Sequence, residues 1–179
     1  MKINAMFSAL LVSSALFLSA CDSADTTDSD NATKILDGKA SIVLPEGFVK
    51  MPKELMDKKY TNPGQRPQEA WYVESEGGKV TLAFAVTENR VTEALLPQVM
   101  TALKAQMSTF SPVVSEMTID GKKMARLEMT TPGVDAKIFN VMQISSMDGK
   151  MMISTFNATE DIKDKYAQAG KDSLSTLKY

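Results

Sequence analysis

Three Asp-Gly-Lys triplets, Asp37-Gly38-Lys39, Asp120-Gly121-Lys122 and Asp148-Gly149-Lys150, each lie between apolar-rich segments. No other feature narrows the fold as much. Asp-Gly suits a tight hairpin, because both central residues of the turn need positive φ and these two residue types tolerate it best. Gly77-Gly78 is a fourth turn candidate. A phosphate-cradling reading of these glycines fails, since no G-x-x-x-x-G-K-S/T pattern is present. A chain punctuated in this way pairs each segment with its neighbour.

The strands follow from the turns. Residues 40–44 read as a short strand closed by Pro45-Glu46-Gly47. Residues 70–74 are expected to pair with 79–87, where Val80, Leu82, Phe84 and Val86 alternate onto one face. Residues 114–119 should pair with 123–130, and 136–145 with 151–157. In the former pair Ala125, Leu127 and Met129 face one way, while Arg126 and Glu128 face the other. Two helices are predicted. Over 92–107, Leu95, Leu96, Val99, Met100, Leu103 and Met107 form one apolar stripe, with Thr92 as the cap and Pro97 arguing for a later start. Over 160–177, Thr159 is the expected cap, with Glu160 and Asp161 at the positive end of the dipole. A short helical turn is expected near 53–58. The class is α+β, an antiparallel sheet built from hairpins with helices packed on it.

The amino terminus carries a different message. Met1-Lys2 is a minimal positive start, and residues 5–18 are apolar with a few serines. That stretch is too short and too weakly flanked for a stable transmembrane helix. It ends in Leu18-Ser19-Ala20-Cys21, which resembles the bacterial lipobox. The resemblance implies diacylglycerol transfer to the Cys21 thiol, cleavage before Cys21 and acylation of the new amine. Several acyl chains on one residue anchor a protein stably, where a single chain binds only marginally. Residues 1–20 are then a lipoprotein signal peptide. Asp22 resembles the enterobacterial signal for inner-membrane retention, so the expected location is the periplasmic side of the inner membrane, with the outer membrane as alternative. Residues 21–33 read as the lipidated cysteine and a polar tether, because Asp, Ser, Thr and Asn cannot bury apolar area to offset ordering. Such a tether reaches roughly 20 Å. Residues 34–179 form a single globular domain.

Composition restricts the chemistry of that domain. The chain has no histidine and one cysteine. A Ser-His-Asp triad, a Cys-His pair and a His-bearing zinc centre are therefore excluded. No cofactor and no metal are expected. The formal net charge is -2 and no long basic run occurs, which argues against nucleic acid as a partner. Carboxylate chemistry stays open in principle. Glu74, Glu76, Glu88 and Asp135 lie near strand ends, but a glycosidase needs two converging carboxylates and no motif marks such a pair. An enzyme is not expected. The thirteen methionines are scattered, which suits core packing better than a soft-metal site. Trp71 and Tyr72 are neighbours in a strand and should point to opposite faces. The longest polar stretch within the domain, residues 57–69, holds Tyr60, two prolines and Arg66. Tyr60 and Arg66 make it a candidate interaction loop, with a solvated connector as the plainer reading.

Taken together, the lipobox, the acidic tether, Ile35-Leu36-Asp37-Gly38-Lys39 followed by Leu44-Pro45, Trp71 in a central strand and Ile119-Asp120-Gly121-Lys122-Lys123-Met124 resemble the DcrB-like family of bacterial envelope lipoproteins. The similarity spans nearly the whole mature chain and is distributed. It implies a PsbP-like fold, an antiparallel sheet sandwiched by helices, and an envelope role in a family tied to phage adsorption. Only Cys21 transfers as a functional residue. The expected function is a membrane-anchored, non-enzymatic binding or scaffold domain. Its expected partners are the membrane, through the lipid on Cys21, and an envelope protein or ligand. The alternatives are a small-ligand or lipid-binding domain and, third, a carboxylate-dependent enzyme. A closed core with an exposed apolar patch favours the first reading, a deep apolar cavity the second, and paired buried carboxylates in a cleft the third.

Overall fold

The computed structural model of the chain describes residues 31–179. The expected signal peptide, Cys21, Asp22 and the expected tether as far as residue 30 lie outside the described residues. The first element is a two-stranded ribbon of β1 (Ala32–Ile35) and β2 (Ala40–Val43). Ala32 and Thr33, expected at the end of the tether, thus belong to the folded unit, where they pair with Val43 and Ile42.

The main sheet has seven strands: β3 (Phe48–Lys50), β4 (Glu69–Val73), β5 (Val80–Arg90), β6 (Val113–Ile119), β7 (Lys122–Pro132), β8 (Lys137–Met147) and β9 (Lys150–Thr159). Their order is β3-β4-β5-β9-β8-β7-β6, and every neighbouring pair is antiparallel. The β6–β7 and β8–β9 hairpins turn on Asp120-Gly121 (φ 49° and 74°) and Asp148-Gly149 (φ 51° and 74°). Positive φ at both central residues is what a two-residue hairpin requires. The first triplet behaves differently. Leu36, Asp37 and Gly38 are all left-handed, at φ 54°, 58° and 80°, in a four-residue loop. The Gly77-Gly78 turn is also wider than a two-residue loop, because Glu74–Glu76 form a 3-10 turn before it.

Among the described residues three α-helices cover the sheet: α1 (Lys53–Lys59), α2 (Leu96–Gln106) and α3 (Lys163–Leu174). A 3-10 turn, Glu93–Leu95, precedes α2, which starts late with Pro97 in its first turn. Neither predicted cap acts as one. Thr92 leads only into the 3-10 turn and makes no capping bond. Thr159 ends β9, where it pairs with Ile138, and the residue before α3 is Ile162. Ladder pairing thus takes Thr159 away from the helix.

The strand period puts a different core on each face. On one face Leu82, Phe84, Met124, Val141, Met152 and Phe156 pack under the β1–β2 ribbon and α3, which add Ile35, Ile42 and Leu174, with Leu177 from the chain after α3. On the other face, α2 places Leu96 and Met100 on Ala125, Leu127, Met129 and Ile144. At the far end of that face, α1 and the chain before it place Met51 and Met56 on Ala70, Tyr72 and Ala83. Arg126 faces α3 as the alternation predicts, yet it is buried. Its guanidinium donates to Gln143 Oε1 (2.7 Å), to the Lys171 carbonyl (3.3 Å) and to Ser175 Oγ (3.2 Å). A cation at the carboxyl end of α3 complements the helix dipole. Among the described residues no helix is long and apolar enough to cross a membrane.

Candidate functional site

The covering of the second face has a gap, and the loop between α1 and β4 forms one side of it. Local bonds shape that loop. Asn62 Oδ1 accepts the Gly64 N–H (3.0 Å) at the 3-10 turn Pro63–Gln65. Asp57 binds Lys53 (2.7 Å) and forms an ion pair with Arg66, which folds the loop back onto α1. The Lys53 and Arg66 contacts hold the Asp57 carboxyl below its usual range. Gln68 imitates a strand residue. It donates to the Val86 carbonyl (3.4 Å) and accepts the Val86 N–H (3.1 Å), so the loop is bound to β5.

Between this loop and the sheet lies an open groove of about 370 Å³. Tyr60, Arg66 and Pro67 line one side, and Ala83, Ala85, Ile153 and Thr155 line the strands β5 and β9 beneath. The small side chains at 83 and 85 leave the floor recessed. α2 packs beyond, over β7 and β8. The structure therefore brings Tyr60 and Arg66, singled out from sequence, to the same groove. The Tyr60 hydroxyl is buried, and among the described residues no hydrogen-bond partner meets it in bonding geometry. Burial raises its pKa, and the nearby Thr81 hydroxyl offsets part of the rise.

The carboxylates noted from sequence do not converge. Glu76 accepts from the Tyr166 hydroxyl (2.7 Å) and Lys165 (3.0 Å), which hold it below its usual range, Tyr166 foremost. Glu88 pairs with Lys150 (2.9 Å) on the surface. Glu74 and Asp135 are exposed. The carboxylate that sequence reasoning passed over is Glu69. It is buried at the start of β4, accepts the Leu36 N–H (2.7 Å) and pairs with Lys50 (3.1 Å). Its job is to hold the left-handed loop after β1 against the sheet. Glu69 and Glu88 line one polar cleft of about 470 Å³ together with Lys39, Gln68, Asp148 and Lys150. Glu69 and Glu88 each already have a cationic partner there, Lys50 and Lys150. Trp71 and Tyr72 point to opposite faces as expected. Tyr72 is buried near Met51 and Met56, and Trp71 is half-buried against the larger core. Among the described residues no three Asp, Glu, His or Cys side chains are grouped to hold a metal.

With the fold in view, the likeness to known structures is one of architecture. A solution structure of cyanobacterial PsbP from Synechocystis sp. PCC 6803 matches with TM-score 0.52 and 12% identity, over 82% of this chain and 90% of that one. A crystal structure from Bacteroides thetaiotaomicron VPI-5482 matches with TM-score 0.52 and 11% identity, over 83% of this chain but only 47% of that one. No family model matches the chain, and no curated protein does. The chain thus has a PsbP-like fold, an antiparallel sheet between layers of helix, as the family resemblance implied.

Proposed function

We propose that this chain is a membrane-anchored lipoprotein of the bacterial envelope, DcrB-like in kind, whose domain binds an envelope partner without catalysing a reaction. The observation that carries the binding role is the open groove over β5 and β9, flanked by Tyr60 and Arg66. Its floor is small and mostly apolar, Ala83, Ala85 and Ile153 beside Thr155, and its rim offers one aromatic and one cation. Aromatic residues and arginine are the side chains that most often dominate binding energy at interfaces. The anchor rests on the sequence: Leu18-Ser19-Ala20-Cys21 supplies the lipid, and Asp22 directs the protein to the periplasmic side of the inner membrane. Confinement near the membrane raises the effective concentration for a partner in the same layer. A groove open to solvent admits a segment of a larger partner. Its volume also falls within the range of small-ligand pockets, which makes a small apolar ligand the second reading.

Two measurements test the proposal. Mass spectrometry of the membrane fraction should find acylated Cys21 as the first residue, and an unmodified Cys21 there would sink the anchor. Ala85→Trp fills the groove from its floor. It should keep the thermal midpoint and lose complementation in a strain lacking the gene. Full complementation by a folded Ala85→Trp protein would remove the groove from the function.

A further inference from the structure

The two edges of the main sheet are finished differently. β3 is three residues long, carries Lys50 and leads directly into α1. A short, charged, covered edge is the usual protection against unwanted strand pairing. β6 has seven residues, no proline, a regular register with β7 and one charged side chain, Glu116. The closing pair of the two-residue hairpin is Ile119 and Lys122. Antiparallel alternation from that pair directs the backbone groups of Val113, Ser115, Met117 and Ile119 to β7. The N–H and C=O groups of Val114, Glu116 and Thr118 point outward. Apolar surface accompanies them, since Val113 is 67% and Phe110 37% exposed.

Beside this edge lies a pocket of about 310 Å³ between β6, β7 and the start of α2. Leu96, Pro97 and Ala125 supply apolar walls, and Glu93, Glu116 and Lys123 supply charge, net -1. Among the described residues neither Glu93 nor Glu116 has an ion-pair partner within 4 Å. The side chains of Val114, Glu116 and Thr118 point to this pocket's face of the sheet, on the evidence that Val114 packs into the core under α2.

We infer that the outer edge of β6 docks an extended segment of another polypeptide, which adds a strand and places a lysine or arginine in the pocket at Glu93 and Glu116. The added strand satisfies the backbone groups of Val114, Glu116 and Thr118. The aliphatic stem of the basic side chain lies on Leu96 and Pro97, and its charge meets the two carboxylates. Strand addition draws affinity from main-chain bonds and selectivity from such side pockets. A second copy of this chain is the poorer occupant. Pairing all seven residues of β6 with their two-fold equivalents sets Glu116 directly against itself, and like charges opposite each other destabilise a strand pair. This surface is separate from the groove at Tyr60, so either can fail alone.

The probe is a soluble peptide of alternating valine and threonine with one central arginine, titrated into the full chain in mild detergent. Amide exchange at Val114, Glu116 and Thr118 should slow on binding while that at Ser115 and Met117 is unchanged. Glu116→Lys should weaken binding at least tenfold, and a peptide with glutamate for arginine should recover it. Glu116→Pro removes one outward N–H without touching the bonds to β7, so it should keep the circular dichroism spectrum and lose the peptide. No binding by the unaltered chain, unchanged binding by folded Glu116→Pro, or protection outside β6 would each overturn the proposal. So would a concentration-dependent dimer abolished by Glu116→Pro, which would make a second copy the occupant.

Discussion

The sheet face beneath α3 and the β1–β2 ribbon is sealed over the middle of β5, β9 and β8, with a polar cleft at its Lys150 end, whereas the opposite face is covered at its two ends and open over β5 and β9. Strand β5 shows the cause. Toward α3 it presents Val80, Leu82 and Phe84, all fully buried. Toward the groove it presents Ala83, Ala85 and Thr87. Large side chains need a layer above them, because their exposure would forfeit roughly 25 cal/mol per Å². Small ones leave little to cover, and the face tolerates a gap. The difference separates a side built for stability from a side available for contact.

That contrast can be broken at several points. Phe156→Ala removes a fully buried ring from the sealed side, and should cost about 3–5 kcal/mol in denaturant unfolding. Gly170→Ala tests the fit of α3 on the same ring. A Cβ there would sit 2.2 Å from Phe156, so a change that normally favours a helix should instead cost about 1–3 kcal/mol. Glu69→Ala leaves the Leu36 N–H without its acceptor and should cost a similar 1–3 kcal/mol, with faster amide exchange in the ribbon as the local sign. On the open side effects on stability should be small. Arg66→Ala should raise the Asp57 titration midpoint, read by NMR, while Lys53 keeps it below the ordinary range. A carboxyl with a depressed folded pKa contributes above its unfolded value and loses that contribution as pH falls through the folded one. The loop's tie to α1 should therefore loosen only in acid.

Much of the fold is legible in the sequence because its instructions are local. Asp120-Gly121 and Asp148-Gly149 encode positive φ within two residues, and the alternation around Leu127 names its face. The misreadings share a cause in long-range pairing. Ala32 and Thr33 look like tether until β2 supplies their partners. Thr159 looks like a cap until β8 claims it. Loop composition could single out Tyr60 and Arg66, but the groove needs β5 beside β9, strands some seventy residues apart in the chain, and no local pattern announces that crossover. Glu69 was invisible for the same reason, since its partner Leu36 lies 33 residues away.

The central claim is that contact with a partner occurs on the open face and not on the sealed one. A photo-reactive amino acid placed at Thr155, in the groove, and separately at Lys165, on α3, tests it within the native envelope. Irradiation should yield a discrete adduct from position 155, and none from position 165. Adducts from position 165 alone, or none from position 155 in a folded, membrane-bound protein, would contradict the account.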